Sequence, residues 1–398
     1  MEILLGISEK ARKQMQDSSW IRRMFEEAAA LATEHGAENV FDLSLGNPLL
    51  EPPPKFRDEL LRIANDEAPG THRYMPNGGY PDTRAAVAQG MAVDTGLPFE
   101  GSDVIMTCGA GAALNVTFRA ILDHGDEVVL IAPFFAEYTF YVDNQGGVPI
   151  VATSHDDFQP DMESIKAAIT DRTRAVLINS PNNPSGAIYS EATLASLAAV
   201  IQEAEQRFGT EIFLISDEPY RKLMYTDVPY PFVFPHHARS VVATSHSKDL
   251  GLAGERIGFI AVNPGYGDRG EFIDAVTFTN RTLGFVNAPA IMQRIVAKLQ
   301  DVTVDVSEYR RKRDFIYSAL TKMGYECMEP QGAFFMFPRS PLLDDREFIR
   351  LLQSKLVLTV PGVGFGTPGY FRLSFCVEDR VLEGSLPGFE AALAEARE

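Results

Sequence analysis

The segment SVVATSHSKDLGLAGERIG, residues 240–258, joins an apolar run to a loop rich in polar side chains. The apolar residues 241–243 predict a buried strand, and the loop after it carries Ser245, Ser247, Lys248 and Arg256. Burial and nearby cations lower the pKa of a lysine amine, so Lys248 is a candidate nucleophile. The hydroxyls and the guanidinium can hold a phosphate. The segment alone allows two interpretations, a site for a phosphorylated aldehyde or a solvated surface loop.

Seven β-rich runs alternate with helical patterns between residues 100 and 262. Most are near-continuous apolar runs, which are typical of strands covered by helices on both faces. The runs are 103–107, 127–131, 148–152, 174–179, 212–216, 240–244 and 257–262. This alternation predicts an α/β domain with a mainly parallel sheet.

The pattern changes on either side of this region. Residues 8–40 predict a helix, followed by a short strand at 40–45. The C-terminal part predicts a long charged helix at 291–322, strands at 325–328, 334–337 and 370–375, and a helix at 345–354. A chain of 398 residues is too long for one ordinary core. We expect a large domain at 46–288 and a smaller α+β domain formed by 1–45 and 289–398.

Composition excludes several classes of protein. The net charge of −18 disfavours binding to a nucleic-acid backbone. The three cysteines are widely spaced and the seven histidines show no ligand spacing, so no disulfide framework or metal site is expected. There is no apolar stretch of about 18 residues, and the N-terminal run makes a poor signal peptide. We therefore expect a cytoplasmic protein.

Residues that follow the predicted strands have matching chemistry, and ligands bind at the carboxyl ends of such strands. The turn Gly109-Ala110-Gly111 precedes a helix and could bind an anion. Phe135 could stack on a planar ligand or pack in the core. Residues 179–186, NSPNNPSG, form a rigid polar loop. Asp217, with Tyr220 after it, could cap a helix or pair with a protonated ring nitrogen.

With these motifs, the chain resembles the class I/II aminotransferases over nearly its whole length. These are pyridoxal-phosphate-dependent enzymes of fold type I, and the likeness is to the aspartate aminotransferases. NSPNNPSG together with SxSKxxGLxxxRxG at 245–258 is the most specific combination. Further matches are 109–114, 216–220 and 371–374, with weaker ones at 45–48, 73–81 and 360–366. The resemblance implies a three-layer αβα large domain with a mainly parallel seven-stranded sheet, plus a smaller α+β domain.

The resemblance also implies a cofactor, pyridoxal 5′-phosphate, and roles for individual residues. Lys248 would form the aldimine and shuttle the substrate proton, with Asp217 and Tyr220 as further catalytic residues. Asp217 would pair with the pyridinium nitrogen and keep the ring electron-withdrawing. Cofactor contacts would come from Gly109, Ala110, Gly111, Phe135, Asn183, Asp217, Tyr220, Ser245, Ser247, Lys248 and Arg256, and from Tyr74 of the neighbouring subunit in a homodimer. Substrate contacts would come from Gly46, Asn183, Arg372 and Arg281.

The implied activity is that of an aminotransferase (EC 2.6.1.-) acting on an L-amino acid and a 2-oxo acid. Two alternatives stay open. A C–S β-lyase of the same fold begins with the same Cα deprotonation, so motifs at the cofactor do not separate the two. A cofactor-sensing regulatory protein would need a DNA-binding module, and only about 45 residues precede the motif region.

Substrate choice depends on few residues. Arg372 would clamp the α-carboxylate of the substrate through a bidentate fork. Aspartate-type relatives often place a cation against the second carboxylate, and Arg281 could provide it across the dimer or could be a surface arginine. Phe134, Tyr138 and Phe285 could instead line an aromatic or aliphatic pocket. We favour aspartate or another common amino acid as donor, with 2-oxoglutarate as acceptor.

Overall fold

The structure, a computed structural model, describes residues 6–16, 20–66 and 68–398. The strands in chain order are β1 Phe41–Asp42, β2 Val104–Thr107, β3 Glu127–Ile131, β4 Val148–Ala152, β5 Thr173–Asn179, β6 Phe213–Asp217, β7 Ser240–Ser245, β8 Gly258–Val262, β9 Phe335–Met336, β10 Val357–Leu358, β11 Val360–Pro361 and β12 Phe371–Ser374. The α-helices are α1 Glu9–Gln16, α2 Trp20–His35, α3 Pro54–Ala64, α4 Pro81–Thr95, α5 Ala110–Ile121, α6 Glu137–Asn144, α7 Met162–Ala168, α8 Glu191–Phe208, α9 Arg269–Thr282, α10 Ala290–Val296, α11 Val306–Met323, α12 Asp345–Ser354 and α13 Asp379–Ala396.

A seven-stranded sheet forms the centre of the molecule, with the strand order β2-β8-β7-β6-β5-β3-β4. Strand β8 is antiparallel to both of its neighbours, and all other pairs are parallel. The seven predicted strands all form, and no bound differs by more than one residue. Because β3, β5, β6 and β7 run in the same direction, the loops that follow them meet at one edge of the sheet.

Both faces of this sheet are covered, which explains its continuous apolar strands. Successive residues of one strand enter different cores, because side chains alternate across a strand. Leu214 packs with Leu194 of α8 and Ile295 of α10, whereas Ile215 packs in the core that contains Val276 of α9. The predicted α/β class is therefore confirmed, with helices on both sides of the sheet.

A third core joins the two ends of the chain. Strand β1 pairs in parallel with β10, and β11, β12 and β9 form a small antiparallel sheet. This core combines Met24 of α2 and Leu43, just after β1, with residues from 304 onward, such as Tyr309 and Phe371. It also takes in five residues from the middle of the chain: Phe158, Ala187, Tyr220, Leu223 and Tyr225. The domain bounds 46–288, 1–45 and 289–398 stay a prediction.

Some predicted elements are wrong. The helix at 291–322 is interrupted between α10 and α11, because Thr303 Oγ1 and Val304 N donate to Asp249 O at 2.8 and 2.7 Å. Asp305 then caps α11. Residues 325–328 do not form a strand. Of the helix predicted at 8–40, residues 17–19 lie outside the described residues, as do residues 1–5 of the N-terminal run, and α2 ends at His35. Across the described ranges, no helix is long and apolar enough to cross a membrane.

Candidate active site

A pocket of about 290 Å³ opens at the edge where the parallel strands end. It has room for a small organic ligand. Residues from the large sheet and from the C-terminal core line it together: Gly46, Ala110, Gly111, Leu114, Phe135, Tyr138, Tyr141, Asn179, Asn183, Asp217, Pro219, Tyr220, Ser245, Ser247, Lys248, Ala253, Arg256, Phe335 and Arg372.

One end of the pocket has features that favour an anion. Helix α5 begins there at Ala110, so its free N–H groups and helix dipole favour negative charge. A side chain at Gly109 would place its Cβ 2.7 Å from the Arg256 guanidinium. A Cβ on Gly258 would lie 2.4 Å from Thr244 O and 2.9 Å from Gly109 Cα. The anion-binding turn and the lysine loop therefore touch through their main chains.

Lys248 lies at the middle of the pocket, just after β7. Its Nζ donates a hydrogen bond to Gly46 O at 2.8 Å. Burial lowers the pKa of this amine to about 8; Cys376 opposes the change, and the guanidinium groups of Arg256 and Arg372 add to it. A substantial fraction of the amine is thus neutral, and nucleophilic, just above neutral pH.

Asp217 ends β6 and is fully enclosed. Tyr138 Oη donates to Asp217 Oδ2 at 2.5 Å, whereas Asp217 Oδ1 has no partner among the described residues. Asn179 Nδ2 donates to the main-chain oxygen of Asp217 at 2.8 Å, and Asn179 Oδ1 accepts from Asn183 N at 2.7 Å. Burial raises the pKa of Asp217 to about 7, although the bond from Tyr138 opposes this shift. Buried carboxyl oxygens are usually hydrogen-bonded, so Oδ1 is an acceptor to which a ligand N–H or O–H group could donate.

Arg372 provides a buried cation at the other side of the pocket. Its guanidinium lies between the rings of Phe335 and Phe365, 4.6 and 4.8 Å from their centroids. It donates to Asn183 Oδ1 at 3.1 Å and to Ser44 O. Its Nε has no partner within the described part of the chain. Burial lowers the pKa of Arg372 to about 10, so the group stays charged at neutral pH and can bind a carboxylate.

Most residues singled out in the sequence meet in this pocket. Those that line it are Gly46, Ala110, Gly111, Phe135, Asn183, Asp217, Tyr220, Ser245, Ser247, Lys248, Arg256 and Arg372. Gly109 adjoins Arg256 without lining the pocket. Tyr74 is 88% exposed and Arg281 is exposed at the end of α9, so neither reaches the pocket of its own subunit.

Several residues at the pocket are not predicted by sequence motifs. Tyr138 was considered only as a pocket wall, but it bonds to Asp217. Tyr138 lies in the first turn of α6 and Phe135 in the loop before it, so helical spacing does not indicate that both face the pocket. Phe335 comes from the C-terminal core, and no pattern near residue 335 indicates that its ring covers Arg372.

Comparisons with known proteins agree with this geometry. The family described as Aminotransferase class I and II matches residues 38–384. The chain is 31% identical to a probable aspartate/prephenate aminotransferase of Aquifex aeolicus, over 87% of this chain and 89% of the relative. It is similar to the structure of an amino transferase from Eubacterium rectale, with a TM-score of 0.95, 36% identity and coverage of 98% and 100%. It is also similar to the aspartate aminotransferase of Thermus thermophilus with maleate, with a TM-score of 0.83, 27% identity and the same coverage.

Proposed function

The chain belongs to the class I and II aminotransferase family, and from this premise we propose that it moves the amino group of L-aspartate to a 2-oxo acid, with 2-oxoglutarate as the acceptor. The protein is an aminotransferase of fold type I, and membership of the family implies pyridoxal 5′-phosphate as its cofactor. The proposal concerns the substrates and the residues that serve them.

The pocket residues fit that cofactor. The N-terminus of α5, with Ser245, Ser247 and Arg256, would hold the phosphate. The unpartnered Oδ1 of Asp217 would accept the proton of the ring nitrogen. Phe135 lines the same pocket and supplies a flat apolar face. Asn183 and Tyr220 would contact the ring oxygen.

Arg372 is the single observation that carries the function. It is buried, its two terminal nitrogens are already held by Asn183 and Ser44, and its Nε is free within the described residues to meet an α-carboxylate. An arginine held in this way is already oriented, so little side-chain freedom is lost when a carboxylate binds. A carboxylate at Arg372 would place the substrate in the pocket that Lys248 also lines.

The chain's own residues then handle one proton. When bound, the cofactor withdraws electrons from the Cα of the substrate. Asp217, in its charged form, would hold the ring nitrogen protonated and so maintain that withdrawal. Lys248 Nζ would take the proton from Cα as general base and, as general acid, deliver it to the cofactor carbon on the other side of the amino nitrogen, because its lowered pKa suits both tasks.

Aspartate as donor is supported by the names of the relatives and by the maleate, a dicarboxylate, in the T. thermophilus structure. The cations that line the pocket, Lys248, Arg256 and Arg372, all have other tasks. We therefore propose a homodimer in which Arg281 reaches the second carboxylate of a substrate in the partner's pocket and Tyr74 reaches the phosphate there.

The three free cysteines fit a reducing compartment, and we propose the cytoplasm.

A half-reaction screen tests this proposal. The holoenzyme is mixed with each common amino acid, and with cysteine conjugates, while the absorbance of the cofactor is followed. Aspartate and glutamate should convert it to the amine form fastest, and 2-oxoglutarate should reverse the change. Release of pyruvate and a thiol from cysteine conjugates, without formation of the amine form, would instead identify a β-lyase.

A further inference from the structure

A second, smaller cavity lies behind the lysine loop. Its volume is about 10 Å³, which is roughly the room needed for one water molecule. Pro219 and Ser245 line both this cavity and the active-site pocket. Its polar walls are charged side chains that the proposed chemistry does not use, which we call the rear cluster: Glu218, Arg221, Lys222, His246 and Asp249.

Within the rear cluster, His246 and Asp249 bracket Lys248 in the chain. His246 Nδ1 lies 3.1 Å from Asp249 Oδ2, and both side chains are buried. Main-chain bonds fasten the two residues to different parts of the fold: His246 N donates to Ile257 O at 3.0 Å, and Val304 N donates to Asp249 O at 2.7 Å. The pair therefore closes the turn that carries the catalytic lysine.

The remaining polar atoms of these side chains lack partners. His246 Nε2 and Asp249 Oδ1 are buried and unpaired among the described residues. The carboxyl group of Glu218 is buried beside the hydroxyls of Ser216 and Tyr230. Burial of such an atom without a hydrogen bond destabilises the fold. One water molecule offers two donors and two acceptors, so a single water in the cavity could bond to several of these atoms.

The two cations of the rear cluster lie next to carboxylates. Arg221 pairs with Asp94 at 3.5 Å, and Lys222 Nζ lies 3.9 Å from Asp249 Oδ2. Burial would raise the pKa of Asp249, but the charge of His246 and its hydrogen bond, with help from Lys222 and Arg221, bring it below the ordinary value. Asp249 is therefore ionised and is a strong acceptor for His246.

We propose that His246 is a positioning residue for transamination. Its bond to Asp249 fixes the turn that holds Lys248, and its Nε2 bonds through one water to Glu218. The inference rests on the assignment of Lys248 as the catalytic lysine. A misplaced lysine would slow the proton transfer at Cα but would leave the carboxylate contact at Arg372 intact.

Two amide variants separate this role from simple packing. His246→Asn places an amide where Nδ1 lies and keeps the bond to Asp249, whereas His246→Gln reaches toward Nε2 and loses that bond. The expected kcat of the Gln variant is about 10- to 100-fold below wild type, with KM for the amino acid changed by about twofold or less. The Asn variant should recover most of kcat. In the apo-protein, amide hydrogen exchange of residues 246–252 should speed up in the Gln variant only.

His237 offers a matched control, because it is equally buried and bonds to Ile212 O at 2.9 Å, outside the rear cluster. His237→Gln should lower thermal stability without lowering kcat. Equal kcat in the two position-246 variants, or a loss that appears in KM alone, would overturn the proposal. Lys248→Ala serves as the separate check: if it retains turnover, the assignment of the lysine fails, whatever the His246 variants do.

Discussion

Tyr138 Oη donates to one carboxyl oxygen of Asp217 at 2.5 Å and leaves the other without a partner among the described residues. The bond favours the charged form of a carboxyl group that burial would keep protonated. It also fixes the direction in which the free oxygen points. In the proposed function, the tyrosine hydroxyl would therefore prepare Asp217 to meet a protonated ring nitrogen.

Tyr138→Phe should weaken binding of pyridoxal 5′-phosphate by about 10- to 100-fold, because a hydrogen bond to a charged group contributes about 1.5–3 kcal/mol. Equilibrium dialysis of the apo-protein measures this constant. Tyr189→Phe is the control, since Tyr189 is equally buried but does not line the pocket. Unchanged affinity in Tyr138→Phe would show that Asp217 needs no help.

Asp217→Asn should stabilise the apo-protein at about pH 8 and weaken its binding of the cofactor. The pKa of Asp217 is about 7 in the folded chain and 3.8 ordinarily, so its proton stabilises the folded state at low pH, and that contribution is lost as pH rises through 7. The gain is at most about 4 kcal/mol. Urea unfolding at about pH 5.5 and pH 8 measures it. A larger gain at the lower pH contradicts the sign.

Lys248→Ala should abolish transamination and the borohydride-stable link between protein and cofactor, because no other amine lines the pocket among the described residues. Mass spectrometry after reduction detects the link. Lys312→Met is the control, because Lys312 is a buried lysine that pairs with Asp379 at 2.5 Å and does not line the pocket. Its loss should lower the stability of the protein and leave the link intact. A link that persists in Lys248→Ala refutes the assignment.

Arg372→Ala should raise the barrier for amino acids by about 3–5 kcal/mol, since a hydrogen-bonded charge pair is lost. The measurement compares kcat/KM for an amino acid with that for the amine that lacks its carboxylate. Wild type should discriminate strongly and the variant should not. Arg313→Ala tests burial alone, because Arg313 is a buried arginine bonded to Pro330 O at 2.6 Å. It should keep the discrimination.

Arg281→Ala should lower kcat/KM for aspartate and glutamate by at least tenfold and leave alanine and phenylalanine within about twofold, as expected for a lost contact to a charged group. Stopped-flow half-reactions with the four amino acids give the ratio. Arg207→Ala is closely matched, since both arginines are exposed and lie over a phenylalanine ring, at 5.5 and 4.9 Å. Equal losses for all four amino acids would remove Arg281 from specificity.

The sequence predicted the large sheet well because its strands are buried on both faces. Such strands are continuous apolar runs, and the motifs in the loops after them consist of consecutive residues, so both can be recognised in the sequence. The long helix at 291–322 failed for the opposite reason. Its sequence favours a helix, but Val304 bonds to Asp249, more than fifty residues earlier in the chain, and this tertiary contact stops it.

At the site, too, local motifs were predictable and tertiary contacts were not. Motifs predicted Lys248, Asp217 and Arg372 as site residues, and all three line one pocket, whereas the bond from Tyr138 and the rear cluster were not predicted. Asp217 and Glu218 are adjacent, yet one lines the pocket and the other lines the rear cavity. Two side chains share a cavity only if the strands and loops that carry them are close in space. Adjacent positions in the sequence do not show this.

The contact of Gly258 with Gly109 and Thr244 leaves no room for a single methyl group. The distance between the turn at residues 109–111 and the lysine loop is therefore fixed by contact of main-chain atoms with main-chain atoms. Substitution of side chains can strengthen or weaken ligand binding at either end of the pocket, but it cannot change the distance between these two segments. Efforts to adapt this enzyme to a longer or shorter cofactor analogue would have to rebuild main chain at this crossing.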